Sequence, residues 1–484
     1  MHKRLVANIV ARNLLIVCFA MLWPLAWALK DNWQSAEAKA FEATMTIGTL
    51  SAILFLWLFR TRQEQMEKFN TKDGLAVVGL SWIILPFFGA LPLFLSKVVP
   101  SYTDALFEIT SGFTTTGSSI LADIEILPRG ILFWRSLTQW LGGMGLIVLY
   151  IAFLPPLGGT TTQLFKAEGT GVKVDKLEPR IKQIAKHLWM VYFLLTVAQT
   201  ALLMVGGMSL FDSLCHSFGT IATGGFSTKN ASFANYSSYI QWVTVIFMFL
   251  GGTNFVLHFL ALRGKFKPYF RDEEFRFYSA VIFSAVLVFT LILLMTGLSS
   301  SPFRDAAFQV VSIATTTGFV SSNYDVWPSA LKFILIMLMI MGGCGGSTSG
   351  GMKVVRMLLN IRITLQSIFK TVYPHLVVPI RLNQKPLEES TIQSVSMFFV
   401  AYIQVIFIAT VLLLFFEKCD IMTAFSAVCT TIGNTGPGLG KVGPMENFAW
   451  LSLSGKWLLT FTMLVGRLEL YALLILFVPS TWRK

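Results

Sequence analysis

The sequence predicts an all-α polytopic membrane protein with ten transmembrane helices. Three observations lead to this prediction: an apolar composition, a series of long apolar runs and a fourfold internal repeat. Of the 484 residues, 54% are hydrophobic and 13% are charged, and the mean hydropathy is +0.66. Soluble domains average about 25% charged residues. The composition therefore excludes an ordinary soluble multidomain protein.

Ten apolar runs of about 20 residues are each long enough to cross the ~30 Å hydrocarbon layer as a helix. They lie near 5–29, 41–59, 75–95, 131–154, 184–206, 239–262, 277–297, 331–359, 395–416 and 457–478. The first run follows MHKR, as in a signal peptide, but Arg12 and Asn13 interrupt it and it exceeds a typical signal-peptide core. We therefore interpret it as a span.

The basic residues predict the orientation of these spans. With the N-terminus inside, the cytoplasmic segments carry 23 Lys and Arg and the external segments carry 8. The positive-inside rule then places both termini in the cytoplasm. This bias explains the net charge of +13 without a nucleic-acid partner.

Four threonine- and glycine-rich segments define repeats of about a hundred residues. They are SGFTTTGSS (111–119), GTIATGGFS (219–227), SIATTTGFV (312–320) and TTIGNTGPG (430–438). Thirteen places before the closing glycine stand Asp104, Asp212, Asp305 and Thr423, residue types favoured at helix N-caps. Each segment is therefore predicted to be a capped short helix followed by a glycine turn.

A second pattern supports the repeats. About 25 to 30 residues after each closing glycine, the returning helix carries WLGGMG, FLGGTN, IMGGCG or LVGRLE. Such glycines also permit close helix packing. The predicted units are an N-terminal hairpin (1–70), repeat one (71–157), repeat two (158–262), repeat three (263–359), a cytoplasmic connection (360–394) and repeat four (395–484).

Re-entrant turns of this kind predict a cation pathway. Non-helical backbone at bilayer depth persists only where it is buried in protein or lines water. Glycine permits successive carbonyl oxygens to point at a pore, and each short helix directs the negative end of its dipole there. Four units around one pore would therefore form a cation site.

The four motifs TTTG, ATGG, TTTG and NTGP, with the preceding hairpin, resemble the Trk/Ktr/HKT superfamily of potassium transport proteins over the whole chain. This resemblance implies potassium-selective uptake through one pore per subunit, with K⁺ as the transported ion. The implied filter comprises Thr115, Thr116, Gly117, Thr223, Gly224, Gly225, Thr316, Thr317, Gly318, Asn434, Thr435 and Gly436. Of these, the threonines and Asn434 are the expected K⁺-binding positions. Repeat four departs from the pattern at Asn434 and Pro437, so strict fourfold equivalence is not expected.

The segment GGCGGSTSGG in repeat three is a candidate gate. Six glycines in this stretch cost roughly 6 kcal/mol of helix propensity, so the helix should break. A phosphate loop is excluded because Met352 stands where lysine is needed. A flexible plug below the filter is favoured over a static break. The predicted gate comprises Gly342, Gly343, Gly345, Gly346, Ser347, Thr348, Ser349, Gly350, Gly351 and Arg467.

Arg467 lies within the last apolar run, where a cation is costly unless it faces water or a partner. We expect it to face the pore beneath the filter and to hold the plug, with a structural ion pair as the alternative. Glu108 and Glu125 are equally compatible with structural pairing and with attracting cations. The five cysteines form no CxxC pair and are expected to be buried.

The sequence carries no clustered nucleophile, base or metal motif, so an enzyme is not expected. An ion-coupled symporter with H⁺ or Na⁺ remains an alternative, and a membrane-embedded enzyme is a weaker one. The connection after the plug, with Arg356, Arg362 and Lys370 along an apolar helix, offers a surface for a partner or the lipid. The resemblance implies a homodimer in the bacterial inner membrane. It also implies a cytosolic ring of TrkA-type RCK-domain subunits, through which adenine or nicotinamide nucleotides act.

Overall fold

The computed structural model describes residues 2–32, 34–60, 71–145, 178–373, 379–470, 473 and 475–479, which are mostly helical. Parts of the predicted return helix of repeat one (146–154), of the first cytoplasmic segments (61–70 and 158–177) and of the C-terminus (480–484) lie outside the described residues. Several helices are long and apolar, as a multi-pass membrane protein requires.

The N-terminal hairpin consists of α1 (Lys3–Ala20), α2 (Leu22–Asp31) and α3 (Ala36–Leu58). Helix α1 packs against α3 and against α4 (Thr71–Gly89) of repeat one. Asn13, which interrupts the first apolar run, is fully buried, and its Nδ2 donates to Ser81 Oγ of α4 at 3.0 Å. The polar residue therefore fixes the hairpin to repeat one.

The remaining helices are grouped here by the repeats that the sequence predicts. After α4, repeat one has α5 (Leu91–Leu95), α6 (Tyr102–Phe113) and α7 (Arg129–Gly143). Repeat two has α8 (Glu178–Val205), α9 (Leu210–Ile221), α10 (Ser238–Gly251) and α11 (Phe255–Leu262). Repeat three has α12 (Lys267–Arg271), α13 (Glu273–Thr296), α14 (Pro302–Ala314) and α15 (Ser329–Met341). Repeat four has α17 (Glu389–Phe416), α18 (Ile421–Gly433) and α19 (Leu453–Arg467).

Between repeats three and four lie α16 (Val354–Val372) and a two-stranded antiparallel sheet, in which β1 (Arg381–Leu382) pairs with β2 (Lys385–Pro386). Short 3-10 turns occupy Tyr324–Val326, Gly440–Val442 and Ile475–Phe477. Helix α16 has the apolar face that the sequence predicts, because Leu358 and Leu359 are buried while Arg362 pairs with Glu273 at 2.7 Å.

The short helices α6, α9, α14 and α18 are called the pore helices, and α7, α10, α15 and α19 the return helices. Each return helix contacts the pore helix of the next repeat: α7 contacts α9, α10 contacts α14 and α15 contacts α18. Helix α19 of repeat four contacts α6 of repeat one. These contacts form a closed cycle.

Six segments within the described residues are helical, long and apolar enough to span a bilayer. They are Lys3–Asp31, Ala36–Leu58, Lys72–Leu95, Gln183–Val205, Glu273–Thr296 and Glu389–Phe416. The pair α10 and α11 would be a seventh, but it bends by 103°. The predicted count of ten spans therefore stays a prediction.

The return helices are shorter than their apolar runs. They end at Gly143, Gly251, Met341 and Arg467, each at or beside its glycine pair. We expected the glycines to break the helix in repeat three alone. The loss of helix propensity at glycine coincides with a break in repeats two and three and with a helix end in repeats one and four.

The predicted N-caps are wrong by one turn. The N-cap positions of the pore helices are Ser101, Ser209, Ser301 and Asp420, three or four residues before the predicted positions. In repeat two, Ser209 Oγ accepts from the backbone N–H of Asp212. The three aspartates predicted as caps lie in the first helical turn, where the helix dipole favours a negative charge. Serine and aspartate are both good N-cap residues, so the residue types did not distinguish between the two possible cap positions.

The glycine pairs also permit close packing. A Cβ atom added at Gly142 would lie 1.8 Å from the carbonyl oxygen of Phe113, and one at Gly466 would lie 2.0 Å from that of Ile432. Both oxygens belong to the C-terminal turns of pore helices. A side chain at either glycine would therefore push a return helix away from its own pore helix.

We expect Gly142→Ala to lower the thermal unfolding midpoint of the detergent-solubilised protein by several degrees more than Gly207→Ala. Gly207 has φ 91° and nothing within 4 Å of an added Cβ, so its substitution costs only the left-handed conformation, about 1–2 kcal/mol. Gly142→Ala adds a clash with backbone. Equal midpoints for the two variants would contradict the close packing of α7 on α6.

Candidate functional site

Four turns at the ends of the pore helices have nearly the same backbone conformation. The residue two places before the closing glycine is left-handed in each, with φ 54° at Thr115, 54° at Thr223, 56° at Thr316 and 53° at Asn434. The closing glycines have φ 82°, 78°, 80° and 102° in chain order. A β-branched residue at positive φ is uncommon and strained, and such strain clusters at ligand sites.

The four turns meet in a closed cycle. Each closing glycine faces the carbonyl oxygen of the residue that precedes the closing glycine of the next repeat. A Cβ atom added at Gly117 would lie 2.2 Å from the carbonyl oxygen of Gly224, and one added at Gly225 would lie 2.0 Å from that of Thr317. A Cβ atom added at Gly318 would lie 1.9 Å from the carbonyl oxygen of Thr435, and one added at Gly436 would lie 2.8 Å from that of Thr116. No side chain fits at these contacts, so the four glycines are required by space as well as by φ.

Equivalent hydrogen bonds hold the turns. The backbone N–H before each closing glycine donates to a carbonyl five residues earlier, at 2.8, 2.7, 2.8 and 2.9 Å in the four repeats. In repeat four, Asn434 Nδ2 donates to Thr116 Oγ1 at 2.9 Å and to the carbonyl of Met463 at 3.0 Å. The exceptional asparagine thus keeps the shared backbone conformation and links repeats four and one.

The glycine-rich segment 342–351 lies directly beneath these turns. Thr348 Oγ1 donates to the carbonyl of Ile221 at 2.8 Å. Ser349 Oγ donates to the carbonyl of Thr315 at 2.6 Å, and the Gly350 N–H donates to Thr316 Oγ1 at 2.7 Å. A Cβ atom added at Gly350 would lie 2.8 Å from Asn434 Cβ. The segment therefore contacts the turns of repeats two, three and four.

Arg467 connects the segment to repeat one. Its Nη1 donates to Thr115 Oγ1 at 3.1 Å and to the carbonyl of Thr348 at 2.8 Å. Its Nη2 donates to the carbonyls of Gly142 and Gly143 at 2.6 and 2.8 Å. The side chain bonds a turn threonine and helix-end carbonyls rather than the neighbouring Glu469, which pairs with Arg356.

Comparison with known proteins decides the family. The TrkH family model, described as a cation transport protein, matches residues 41–484. The chain belongs to the TrkH family. That family comprises cation transporters rather than enzymes, and the resemblance predicted from the motifs is confirmed.

Several TrkH family members are similar over their full length. The chain is 40% identical over 493 residues to the Trk system potassium uptake protein TrkH of Escherichia coli K12, with 100% of both chains covered. The TrkH of Halomonas elongata is 36% identical over 490 residues, again covering both chains fully. The crystal structure of the potassium transporter TrkH from Vibrio parahaemolyticus matches with a TM-score of 0.89, 36% identity and full coverage of both chains.

Within this TrkH family member, Glu108 is a buried structural residue. It forms an ion pair of 2.7 Å with Arg135, and the two side chains are 0% and 1% exposed. Glu108 Oε2 also accepts from the backbone N–H of Ile120 at 2.9 Å. The pair therefore fixes the chain that leaves the first turn, and of the two interpretations left open for Glu108, structural pairing is the one the geometry favours.

Glu125 is exposed and contacts repeat two. It pairs with Lys229 at 3.4 Å, both side chains being 45% exposed, and it accepts from the Asn230 N–H at 3.2 Å.

At the fourth pore helix, the Thr423 hydroxyl and backbone N–H hold the pKa of Asp420 below its ordinary value. This keeps the cap of that helix negatively charged.

Sequence reasoning missed two buried polar residues at the site. Glu274, at the start of α13, accepts from the N–H groups of Gly345 and Val355 at 2.6 and 3.1 Å, so it links the glycine-rich segment to the first turn of α16. Gln139 of α7 donates to the carbonyl of Gly224 at 2.6 Å. A signal existed for each: a carboxylate that begins an apolar span, and a lone glutamine in an apolar return helix.

We expect Arg135→Met to destabilise the protein by about 3–5 kcal/mol, because it leaves the buried Glu108 carboxylate without its partner. The matched control is Lys229→Met, which removes an exposed pair and should cost at most about 1 kcal/mol. Both can be measured as shifts in thermal unfolding in detergent. Similar small shifts for the two variants would contradict the structural role of the buried pair.

Proposed function

We propose that this protein mediates potassium-selective uptake across the bacterial inner membrane through one pore per subunit, formed by four pseudo-equivalent repeats. The observation that carries the proposal is the closed cycle in which each closing glycine faces the next repeat's carbonyl oxygen. The names of the full-length relatives, potassium uptake proteins and a potassium transporter, support the choice of ion.

Selectivity would come from backbone carbonyls near the four glycines. Carbonyl rings replace the hydration shell of K⁺, and the close approach of the turns limits how far these oxygens can move. K⁺ would be held at Thr115, Thr116, Thr223, Thr316, Thr317, Asn434 and Thr435, all of which are fully buried. The strained φ shared by the four repeats supports a common role in binding the ion.

The glycine-rich segment would be the gate. Residues 348–350 of the segment contact or are bonded to all four turns, and they reach the turn of repeat one through Arg467. Thr348 and Ser349 are each only 1% exposed, so this arrangement supports a closed pathway below the filter. Opening requires that the hydrogen bonds from Thr348, Ser349 and Arg467 be broken together.

Control of the gate would come from a cytosolic nucleotide-binding ring acting on a homodimer, with both termini in the cytoplasm. Helix α16 begins three residues after the segment and exposes Ile361, Leu365 and Ile368 to 43%, 50% and 57%. At its start, Val355 N–H shares Glu274 with Gly345 of the gate. A partner that moves α16 would therefore pull on the gate directly.

We expect Gly117→Ser to reduce discrimination between K⁺ and Na⁺ at least several-fold, because the side chain would push against the Gly224 carbonyl. The measurement is ⁸⁶Rb⁺ uptake into K⁺-loaded proteoliposomes, with K⁺, Na⁺ and Li⁺ as competitors. Gly297→Ser is the matched control, since Gly297 has φ 67° and open space around it. It should keep wild-type discrimination.

Wild-type uptake blocked equally by Na⁺ and K⁺, with no effect of Gly117→Ser, would refute the filter. If the purified chain shows no uptake, the same comparison is made after addition of the cytosolic ring. Flux that depends on a second ion gradient would instead identify a symporter.

We expect Arg467→Met and Thr348→Val each to raise ⁸⁶Rb⁺ uptake several-fold in the absence of the cytosolic partner, because each removes bonds that hold the segment under the filter. The control is Arg263→Met, which replaces an exposed arginine in a segment predicted to be cytoplasmic and should leave uptake unchanged. Wild-type uptake in both gate variants would show that the segment does not limit flux.

A further inference from the structure

A polar side chain behind the filter has no counterpart in the other three repeats. Gln139 lies three residues before the glycine pair of its return helix. At the same offset the other return helices carry Met248, Met339 and Met463. All four side chains are fully buried. One glutamine thus stands where the other repeats use methionine.

Gln139 reaches the filter of the next repeat. Its Nε2 donates to the carbonyl oxygen of Gly224 at 2.6 Å, and its Oε1 accepts from the backbone N–H of Phe226 at 3.1 Å. These partners precede and follow the filter glycine Gly225. Because a carbonyl only accepts and an N–H only donates, the orientation of the amide is determined.

Gly224 differs from the residue at the equivalent position of the other three filter turns. The other filters have Thr116, Thr317 or Thr435 at this position. A Cβ atom added at Gly224 would lie 2.5 Å from Gln139 Cδ. The glutamine amide therefore occupies the space that a threonine side chain would need, and the two departures from the repeat pattern explain each other.

In repeats one and three, the threonine that stands at the position of Gly224 also lies within hydrogen-bond distance of a second threonine. In repeat one, the hydroxyls of Thr114 and Thr116 are 2.7 Å apart, and in repeat three those of Thr315 and Thr317 are 2.8 Å apart. Repeat two has Ala222 at the first of these positions and cannot form such a bond. The Gln139 amide supplies polar contacts to this turn from a neighbouring repeat.

We infer that Gln139 is a selectivity-determining positioning residue, which holds the Gly224 carbonyl in place of the threonine missing from repeat two. This inference rests on the proposed filter. Since Gly224 O faces Gly117, the glutamine sets the contact between repeats one and two. One corner of the filter is therefore positioned by another repeat, and the ring of carbonyls is not fourfold equivalent.

The test uses ⁸⁶Rb⁺ uptake by the full chain and compares the ratio of K⁺ to Na⁺ inhibition constants with the maximal uptake rate. Ionised Glu at position 139 (Gln139→Glu) keeps the acceptor for Phe226 N–H but has no donor for Gly224, so discrimination should fall on the order of tenfold, the scale of one lost hydrogen bond. Gln139→Met should have a similar or larger effect. Gln199→Met, another fully buried glutamine, is the control and should keep the wild-type ratio.

A reciprocal exchange makes the test specific. Gly224→Thr alone should abolish uptake, because its side chain meets the Gln139 amide. The double variant Gln139→Met with Gly224→Thr recreates the methionine and threonine found at the other three corners, so it should recover discrimination relative to either single variant. Such coupling is expected for residues in contact. Size-exclusion profiles establish that each variant is folded.

The inference is overturned if Gly117→Ser lowers the ratio of inhibition constants while Gln139→Glu and Gln139→Met keep the wild-type ratio. A change in the maximal uptake rate alone in the two Gln139 variants would overturn it as well. It is also overturned if the double variant recovers nothing. If neither Gly117→Ser nor the Gln139 variants affect the ratio, the filter itself is misassigned and both proposals fail together.

Discussion

The structure depends on the need to satisfy backbone polar groups within the bilayer. Each of the four turns carries non-helical backbone whose N–H and carbonyl groups cannot face hydrocarbon unpaired. The chain meets this requirement by pairing each turn's N–H with its own pore helix and by surrounding the turns with helices. Glycine at the contacts lets the backbones approach, and the positive φ before each contact turns the chain inward.

The same requirement explains the polar residues that surround the turns. Glu108 and Arg135 are buried as a pair, and Glu108 accepts an N–H from the chain that leaves the first turn. In repeat two, His216 occupies the matching position and bonds Ser227 Oγ through Nε2 at 3.0 Å. Different side chains thus brace equivalent backbone in different repeats, which is why the turns match more closely than their surroundings do.

Much of the fold was predictable because it depends on residue type and spacing. The apolar runs located the long helices, and the four glycines were located because space and φ both exclude other residues. The caps were missed by one turn because serine and aspartate compete for that position. The pairing of Arg356 with Glu469, and of Gln139 with Gly224, joins residues far apart in sequence, and no local pattern encodes such contacts.

The breaks in the return helices concentrate helix ends in one small volume. Pore helix α6 ends at Phe113, against return helix α7, which ends at Gly143; α18 ends at Gly433, against α19, which ends at Arg467. Each helix C-terminus carries about half a negative charge. Several such ends beneath the turns therefore contribute negative partial charge to this volume.

Two side-chain cations lie in that volume, Arg467 on helix-end carbonyls and the buried Lys353 on the Ser349 carbonyl. They compensate the charge of the helix ends in this arrangement. If the segment moves as the proposed gate requires, a permeating cation would take over this compensation. The transported ion and the protein's own cations would then be alternative counter-ions of the same helix ends, so that occupancy by one would disfavour the other.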